Sequence, residues 1–381
     1  MELLNMDKGI SLYIHIPFCK QKCLYCDFPS FCGMESQMID YAKALSKEID
    51  NIGEETIKTI FIGGGTPTYL SLEGWNIIGK SIHKLKKSTD LEFTVEGNPG
   101  TFDIDKLRLL KSIGVNRISI GLQAWQNIHL KNLGRIHTNE EFVESFTMAR
   151  KVGFENINID LMFGIPNQNL QEWKDTLNKV TELNPEHLSC YSLIVEEGTE
   201  FFKLYEREAL SLPEEDLERE MYWYTLEFLK NRGFNQYEIS NFSKEKKECK
   251  HNLVYWNLQE YIGCGASAHG YRDCIRYRNE EKVEEYIRLI NDKENAVVEK
   301  KKNSIEDDME EYMFMGLRKI NGVSVDEFYH RFKSSIHHVY EAAILSNKNK
   351  GLLEENKGRL FLSPKGIEVS NVVMSDFMIS N

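Results

Sequence analysis

Along the first two-thirds of the chain, short apolar runs rich in β-branched residues alternate with stretches whose apolar positions recur at helical spacing. That alternation predicts βα units around a parallel sheet. Six runs are legible: SLYIHI from Ser11, KTIFI from Lys58, LEFTV from Leu91, RISI from Arg117, NINIDLMF from Asn156 and HLSCYSLI from His187. Helices are expected over residues 38–52, 72–87, 103–113, 139–152, 170–183 and 213–232. Several runs end in a polar or glycine-rich corner: GGGTP at Gly63, EGNP at Glu96 and GLQ at Gly121, with Asp160 inside the fifth run. In a parallel α/β barrel the carboxyl ends of the strands form the site face, so these corners are expected to converge on one cleft. The pattern reads as an α/β fold, an incomplete (β/α)6 barrel over residues 1–240.

Beyond it the periodicity loosens. Residues 241–303 carry an aromatic segment, and the charged stretch 279–308, with EKKKN, reads as a connector. Residues 304–381 give about three helical runs and then LLEENKGRLFLSPKG, two short strands around a Lys-Gly turn. This is a C-terminal winged-helix-like α+β module. From Lys300 onward 12 basic residues meet 12 acidic ones, so the module lacks the positive surface that DNA binding needs. A packing or lid role is expected instead.

Composition supports a packed protein without a nucleic-acid partner. The 381 residues are 41% hydrophobic, and the net charge of -12 repels a phosphate backbone or an anionic membrane. No stretch approaches the roughly 18 apolar residues of a membrane span, and the start, MELLNMDKGI, has no leader-like pattern, so a cytoplasmic location is expected. Of eight cysteines three crowd into one segment, which is not a secreted disulfide framework.

That segment, YIHIPFCKQKCLYCDF, follows the first strand and spaces Cys19, Cys23 and Cys26 as C-x3-C-x2-C. Three thiolates suit an iron-sulfur cluster or zinc. A closed zinc site wants a fourth ligand, for which only Cys32 or His15 is near in sequence, and a dithiol reading of Cys23 and Cys26 leaves Cys19 idle. A 4Fe-4S cluster on three cysteines keeps one iron open, and an open iron can chelate S-adenosylmethionine. The glycines of GGGTPT, Gly63 to Thr68, let a backbone approach a ligand closely.

Taken together, LYIHIPFCKQKCLYCDF, IFIGGGTPT, TVEGNP, SIGLQAW, LGRIHT and IDLMFGIPNQ resemble the oxygen-independent coproporphyrinogen oxidase branch of radical SAM proteins, over nearly the whole chain. The resemblance implies that Cys19, Cys23 and Cys26 hold the cluster and that Tyr25 packs on the adenine of S-adenosylmethionine. It sets Tyr13 against the sulfonium, Gly64, Gly65 and Thr66 at the methionine part, and Glu96, Gln123, Arg135 and Asp160 around the rest of the pocket. Two departures matter. The oxidases carry a further cysteine where this chain has Phe28, and a longer arm than the 18 residues preceding Cys19. Both direct the resemblance to the HemW heme chaperones, which bind heme and pass it to acceptor proteins. HNLVYW, His251 to Trp256, matches the HNxxYW motif associated with heme there, which implies heme contact by His251, Tyr255 and Trp256, with Cys249 or Cys264 as alternative ligands. Heme, an acceptor protein and an electron donor are the partners implied. The competing readings are the oxidase itself, another radical SAM enzyme, and a zinc-stabilised interaction protein.

Overall fold

The computed structural model describes residues 9–379; the opening residues read above for a leader pattern lie partly outside it. Strands β1 (Gly9–Ile16), β2 (Thr56–Gly64), β3 (Lys86–Gly97), β4 (Arg117–Gln123), β5 (Ile157–Phe163) and β6 (His187–Ser192) pair in parallel, each with the next. The period of two in their sequences explains the arrangement. One set of positions (Leu12, Ile14, Ile60, Ile62, Phe93, Val95, Ile118 and Ile159 among them) is fully buried in a core shared with helix residues such as Tyr41, Leu45, Trp75 and Ile78. The alternate set, from Tyr13 and His15 to Glu96, Ser119 and Asp160, is polar or aromatic and faces the barrel interior.

The barrel is open, and its sheet runs on at both ends. Past β6 come β7 (Asn235–Glu238) and β8 (Asn241–Ser243), both antiparallel; past β1 come β9 (Tyr261–Cys264), β10 (His269–Arg272), β11 (Ile275–Asn279) and β12 (Val297–Lys302). The twelve strands lie in the order β12-β11-β10-β9-β1-β2-β3-β4-β5-β6-β8-β7. The stretch 279–308 is therefore not a connector. It completes β11, forms the helix Val283–Lys293 and supplies the edge strand β12. Its charges misled because an edge strand exposed on both faces can be as polar as a loop, and lysines there discourage pairing with another chain. The helix expected over 72–87 stops at Lys84, because Leu85 turns to extended geometry and Lys86 and Lys87 already pair with Thr56 and Ile57 of β2.

After the helix Ile305–Gly316 the chain forms β13 (Val323–Ser324), three helices and the hairpin β14 (Leu353–Asn356) with β15 (Arg359–Leu362), paired in the order β13-β15-β14. The hairpin turns on Lys357 and Gly358, both at positive φ (49° and 70°), as a two-residue turn requires. This part has its own core around Met313, Phe328 and Leu360, which also takes in Val254, Tyr261 and Tyr271 from the preceding segment. The two parts are joined by Tyr271, whose hydroxyl donates to Asp308 at 2.8 Å, and by Arg276, which donates to both oxygens of Glu311 at 2.7 and 2.6 Å. Among the described residues no helix is long and apolar enough to cross a membrane.

Candidate functional site

The cysteine segment is closed on its own stem. Phe31 N–H donates to the Pro17 carbonyl at 2.7 Å and Cys19 N–H to the Phe31 carbonyl at 2.9 Å, while Cys26 N–H turns back to the Cys23 carbonyl at 3.2 Å. Cys19 is buried, Cys23 and Cys26 are half-buried, and Cys32, beyond the closure, is exposed. None of the eight cysteines forms a disulfide. Burial pushes the Cys26 thiol up to about 11, and the neighbouring Cys23 and Cys19 add to the rise. A bound metal reverses that preference, because coordination stabilises the thiolate.

Strand ends β2, β3 and β4 meet this segment through a chain of polar contacts. The Thr66 hydroxyl lies 3.5 Å from Cys19 Sγ and accepts from Asn98 Nδ2 at 2.8 Å. Arg135 donates to Asn98 Oδ1 at 2.6 Å, to the Gly121 carbonyl at 2.5 Å and toward Cys23 Sγ at 3.6 Å. Asn98 thus links the glycine corner to the arginine. Sequence reading passed over it, although its position two residues after Glu96, in EGNP, was the available signal. Gln123 sits at the bulge between β4 and β5 with φ 73°, and a Cβ on Gly121 would come within 3.1 Å of its Nε2 and 3.2 Å of Arg135 Nη2. Both side chains therefore crowd one strand end.

The glycines of the β2 corner are demanded by space. Gly64 has φ 111°, and a Cβ there would lie 2.6 Å from the His15 ring; one on Gly65 would lie 2.8 Å from the Phe18 carbonyl and 3.0 Å from Cys19 Sγ. Glu96 lies close by, 2.8 Å from where a Gly63 Cβ would stand. Burial, and then the Asp160 carboxylate, lift the Glu96 pKa to about 8. Asp160 is raised by burial too, against hydrogen bonds from Ser119 Oγ at 2.9 Å and Asn158 Nδ2 at 2.8 Å. Tyr25 packs toward Phe201, ring centroids 6.4 Å apart, at the margin of a small core containing Leu130, Leu133 and Met162.

Tyr13 and His15 form the other wall. His15 Nε2 can only donate to the Pro29 carbonyl at 2.8 Å, so Nδ1 accepts from the Tyr13 hydroxyl at 2.9 Å. Burial lowers the His15 pKa to about 4, which keeps this tautomer neutral. The Tyr13 ring stacks on Phe61 (6.4 Å), and Phe61 stacks on His251 (5.2 Å). The structure thereby connects the cysteine side of the barrel with the aromatic motif.

The motif is the helix Lys250–Trp256, inserted against the barrel interior. His251 is fully buried, with Nδ1 2.7 Å from Thr59 Oγ1 and Nε2 2.9 Å from the Tyr255 hydroxyl. Its imidazole has no free nitrogen in this arrangement. Helical spacing does bring His251 and Tyr255 together as expected, and Tyr255 reaches a cavity of about 200 Å³ also lined by Tyr13, His15, Phe28 and Tyr261. Trp256 lies under the Arg318 guanidinium, 4.6 Å from ring centre to carbon. The alternative ligands Cys249 and Cys264 are buried as well, Cys249 with its sulfur 3.5 Å from Glu92 Oε1.

Known proteins share both the sequence and the fold. The sequence pattern of the Radical SAM superfamily matches residues 13–180, and that of the HemN C-terminal domain matches 303–369. The Heme chaperone HemW of Bacillus subtilis (strain 168) is 41% identical over 374 residues, 97% of this chain and 99% of that protein. The Heme chaperone HemW of Lactococcus lactis subsp. lactis is 39% identical, over 99% of each chain. In fold the chain is similar to coproporphyrinogen III oxidase (HemN) from Escherichia coli, a radical SAM enzyme, with a TM-score of 0.85 at 21% identity, covering 98% of this chain and 90% of that one. The superfamily's cofactors are a 4Fe-4S cluster and S-adenosylmethionine, and the residues present fit them in kind: three cysteines on one loop beside a glycine corner too tight for any Cβ, although among the described residues no three His, Cys, Asp or Glu side chains are drawn together as a metal site. With near-complete coverage of the Bacillus and Lactococcus proteins, the chain belongs to the HemW heme chaperone family of the radical SAM superfamily.

Proposed function

We propose that the protein binds heme and hands it to an acceptor protein in the cytoplasm, with a 4Fe-4S cluster on Cys19, Cys23 and Cys26 and S-adenosylmethionine beside it. One observation carries this reading: similarity to named heme chaperones spans nearly the whole chain, which holds the aromatic helix that stacks through Phe61 onto Tyr13. When bound, the cluster held by these cysteines would supply reducing power to S-adenosylmethionine, drawn from an electron-donor protein.

The chain's own residues bind and orient. Gly64, Gly65 and Thr66 admit the methionine end of the cofactor to the backbone, and Tyr13 offers a ring face to the sulfonium. Glu96 and Asp160 accept from the ammonium and ribose hydroxyls; an ammonium beside Glu96 draws its carboxyl back to the ionised form. Tyr25 covers the adenine, Gln123 completes the pocket, and Arg135 holds Asn98 and the Cys23 thiolate in place. Tyr255 and Trp256 give the heme side its aromatic surface, and His251 fixes Tyr255 through its hydroxyl. The test is anaerobic reconstitution with iron and sulfide, followed by heme titration, transfer to an apo-acceptor and an assay for 5'-deoxyadenosine. Saturable heme binding and transfer are expected. A reconstituted protein that binds no heme would overturn the reading.

A further inference from the structure

The barrel's interior face does not end at β1. In register, Ser11 pairs with Tyr261 and Tyr13 with Gly263, Tyr261 pairs with Tyr271, and His269 pairs with Arg278. Directly paired residues share a face. Tyr13 and His15 on β1, Tyr261 on β9, His269 on β10 and Arg278 on β11 are thus one continuous surface, which passes from the barrel strands onto the extension of the sheet. Gly263 permits this, since a Cβ there would collide with the His269 carbonyl.

On that surface the cavity of about 200 Å³ has an aromatic lining of Tyr13, Phe28, Tyr255 and Tyr261, with His269 at its rim. Phe28 is 61% exposed, an unusual placing for a large aromatic side chain within a loop that is otherwise pinned down. His269 is exposed, and among the described residues its ring makes no hydrogen bond. Arg278 stands beside it, partly exposed and 3.3 Å from Glu299. Each of these differs from His251, which is sealed with both nitrogens engaged.

We propose that His269 is the protein ligand of heme iron, with an apolar porphyrin edge seated in the Tyr13–Phe28–Tyr255–Tyr261 cavity and a propionate paired with Arg278. The assignment rests on the heme-binding reading above and locates its site. The chemistry of the cargo matches the surface: a flat aromatic body for the tyrosine and phenylalanine rings, an iron for a free imidazole, and carboxylates for a guanidinium. Partial burial, and then Arg278, lower the His269 pKa, so the imidazole is neutral and able to ligate at neutral pH. The cavity is smaller than the roughly 300–1,000 Å³ of sites that enclose a ligand. Heme is therefore held by one edge, and its remaining surface stays open to the protein that takes it.

Heme titration of the reconstituted full chain, followed at the Soret band, tests this. His269→Ala is expected to weaken binding by at least about tenfold and to shift the band, and added imidazole is expected to restore the band position. Arg278→Gln is expected to weaken binding a few-fold without a shift, and His251→Gln to weaken it, also without a shift. Iron content of each variant checks that the chain is folded and loaded. His269→Ala with wild-type affinity and spectrum overturns the assignment, as does a band shift in His251→Gln alone. If the wild-type chain binds no heme, the heme-binding reading fails and the assignment falls with it.

Discussion

Glu92 of β3 accepts the backbone N–H of His251 at 3.0 Å, from a different element 159 residues away in sequence. Its other oxygen accepts the Lys250 N–H at 3.0 Å. A buried carboxylate on the two first amides of a helix meets both the unsatisfied donors and the positive end of the helix dipole. Glu92→Ala removes both bonds and leaves the buried His251 amide and the part-buried Lys250 amide without this partner, so it is expected to cost about 2–4 kcal/mol of stability. Glu92→Gln, which keeps the shape and one acceptor, is expected to cost less. Urea unfolding of the full chain measures both, and equal stability of Glu92→Ala and wild type would show that the helix is held by packing alone.

The loop geometry makes a prediction about the four nearby cysteines. Cys19→Ser, Cys23→Ser and Cys26→Ser are each expected to lose most of the iron and sulfide taken up on anaerobic reconstitution. Cys32→Ser is expected to keep it, because Cys32 lies outside the closure and is exposed. Iron analysis decides, and loss of iron in Cys32→Ser with retention in Cys19→Ser would reverse the ligand set.

Glu96 predicts a pH dependence of stability in the chain without cofactor. Its folded pKa of about 8 stands above the usual 4.5, so between those values the folded chain keeps a proton that the unfolded chain has lost. The group's contribution is complete below pH 4.5 and falls as pH rises toward 8. Glu96→Gln removes the titration, so thermal midpoints at the two ends of that window are expected to show the variant gaining on wild type as pH rises. A constant difference would place the Glu96 carboxyl in a more polar setting.

Phe28 predicts the outcome of an oxidase assay. It stands where the resembling oxidases have a further cysteine, and here it lines an apolar cavity with most of its ring exposed. Coproporphyrinogen III, supplied anaerobically with S-adenosylmethionine and a competent reductant, is expected to remain unconverted. Formation of protoporphyrinogen IX would make the chain an oxidase in spite of Phe28.

The six parallel strands were legible because each carries an uninterrupted buried period, as in Leu12, Ile14 and Ile16, which only a sheet packed under helices satisfies. The cysteine spacing and the glycine corner were legible because they are local. What sequence missed is non-local or on an edge. The Lys300–Lys302 run reads as a loop until β11 is known to lie beside it. Asn98 has meaning only once Arg135 and Thr66 stand on either side of it. The motif histidine stands out in the sequence, but its sealing by Thr59, 192 residues away, was not legible there.

The closure of the cysteine loop has a bearing on how its two ends are coupled. Phe18 and Phe31 bridge as in a short piece of sheet, and the bonds among Pro17, Cys19 and Phe31 run from peptide to peptide. The entropy of closing the stem is thus met by backbone bonds when the chain folds. A strain on either end of the loop is therefore passed to the other through the peptide chain itself.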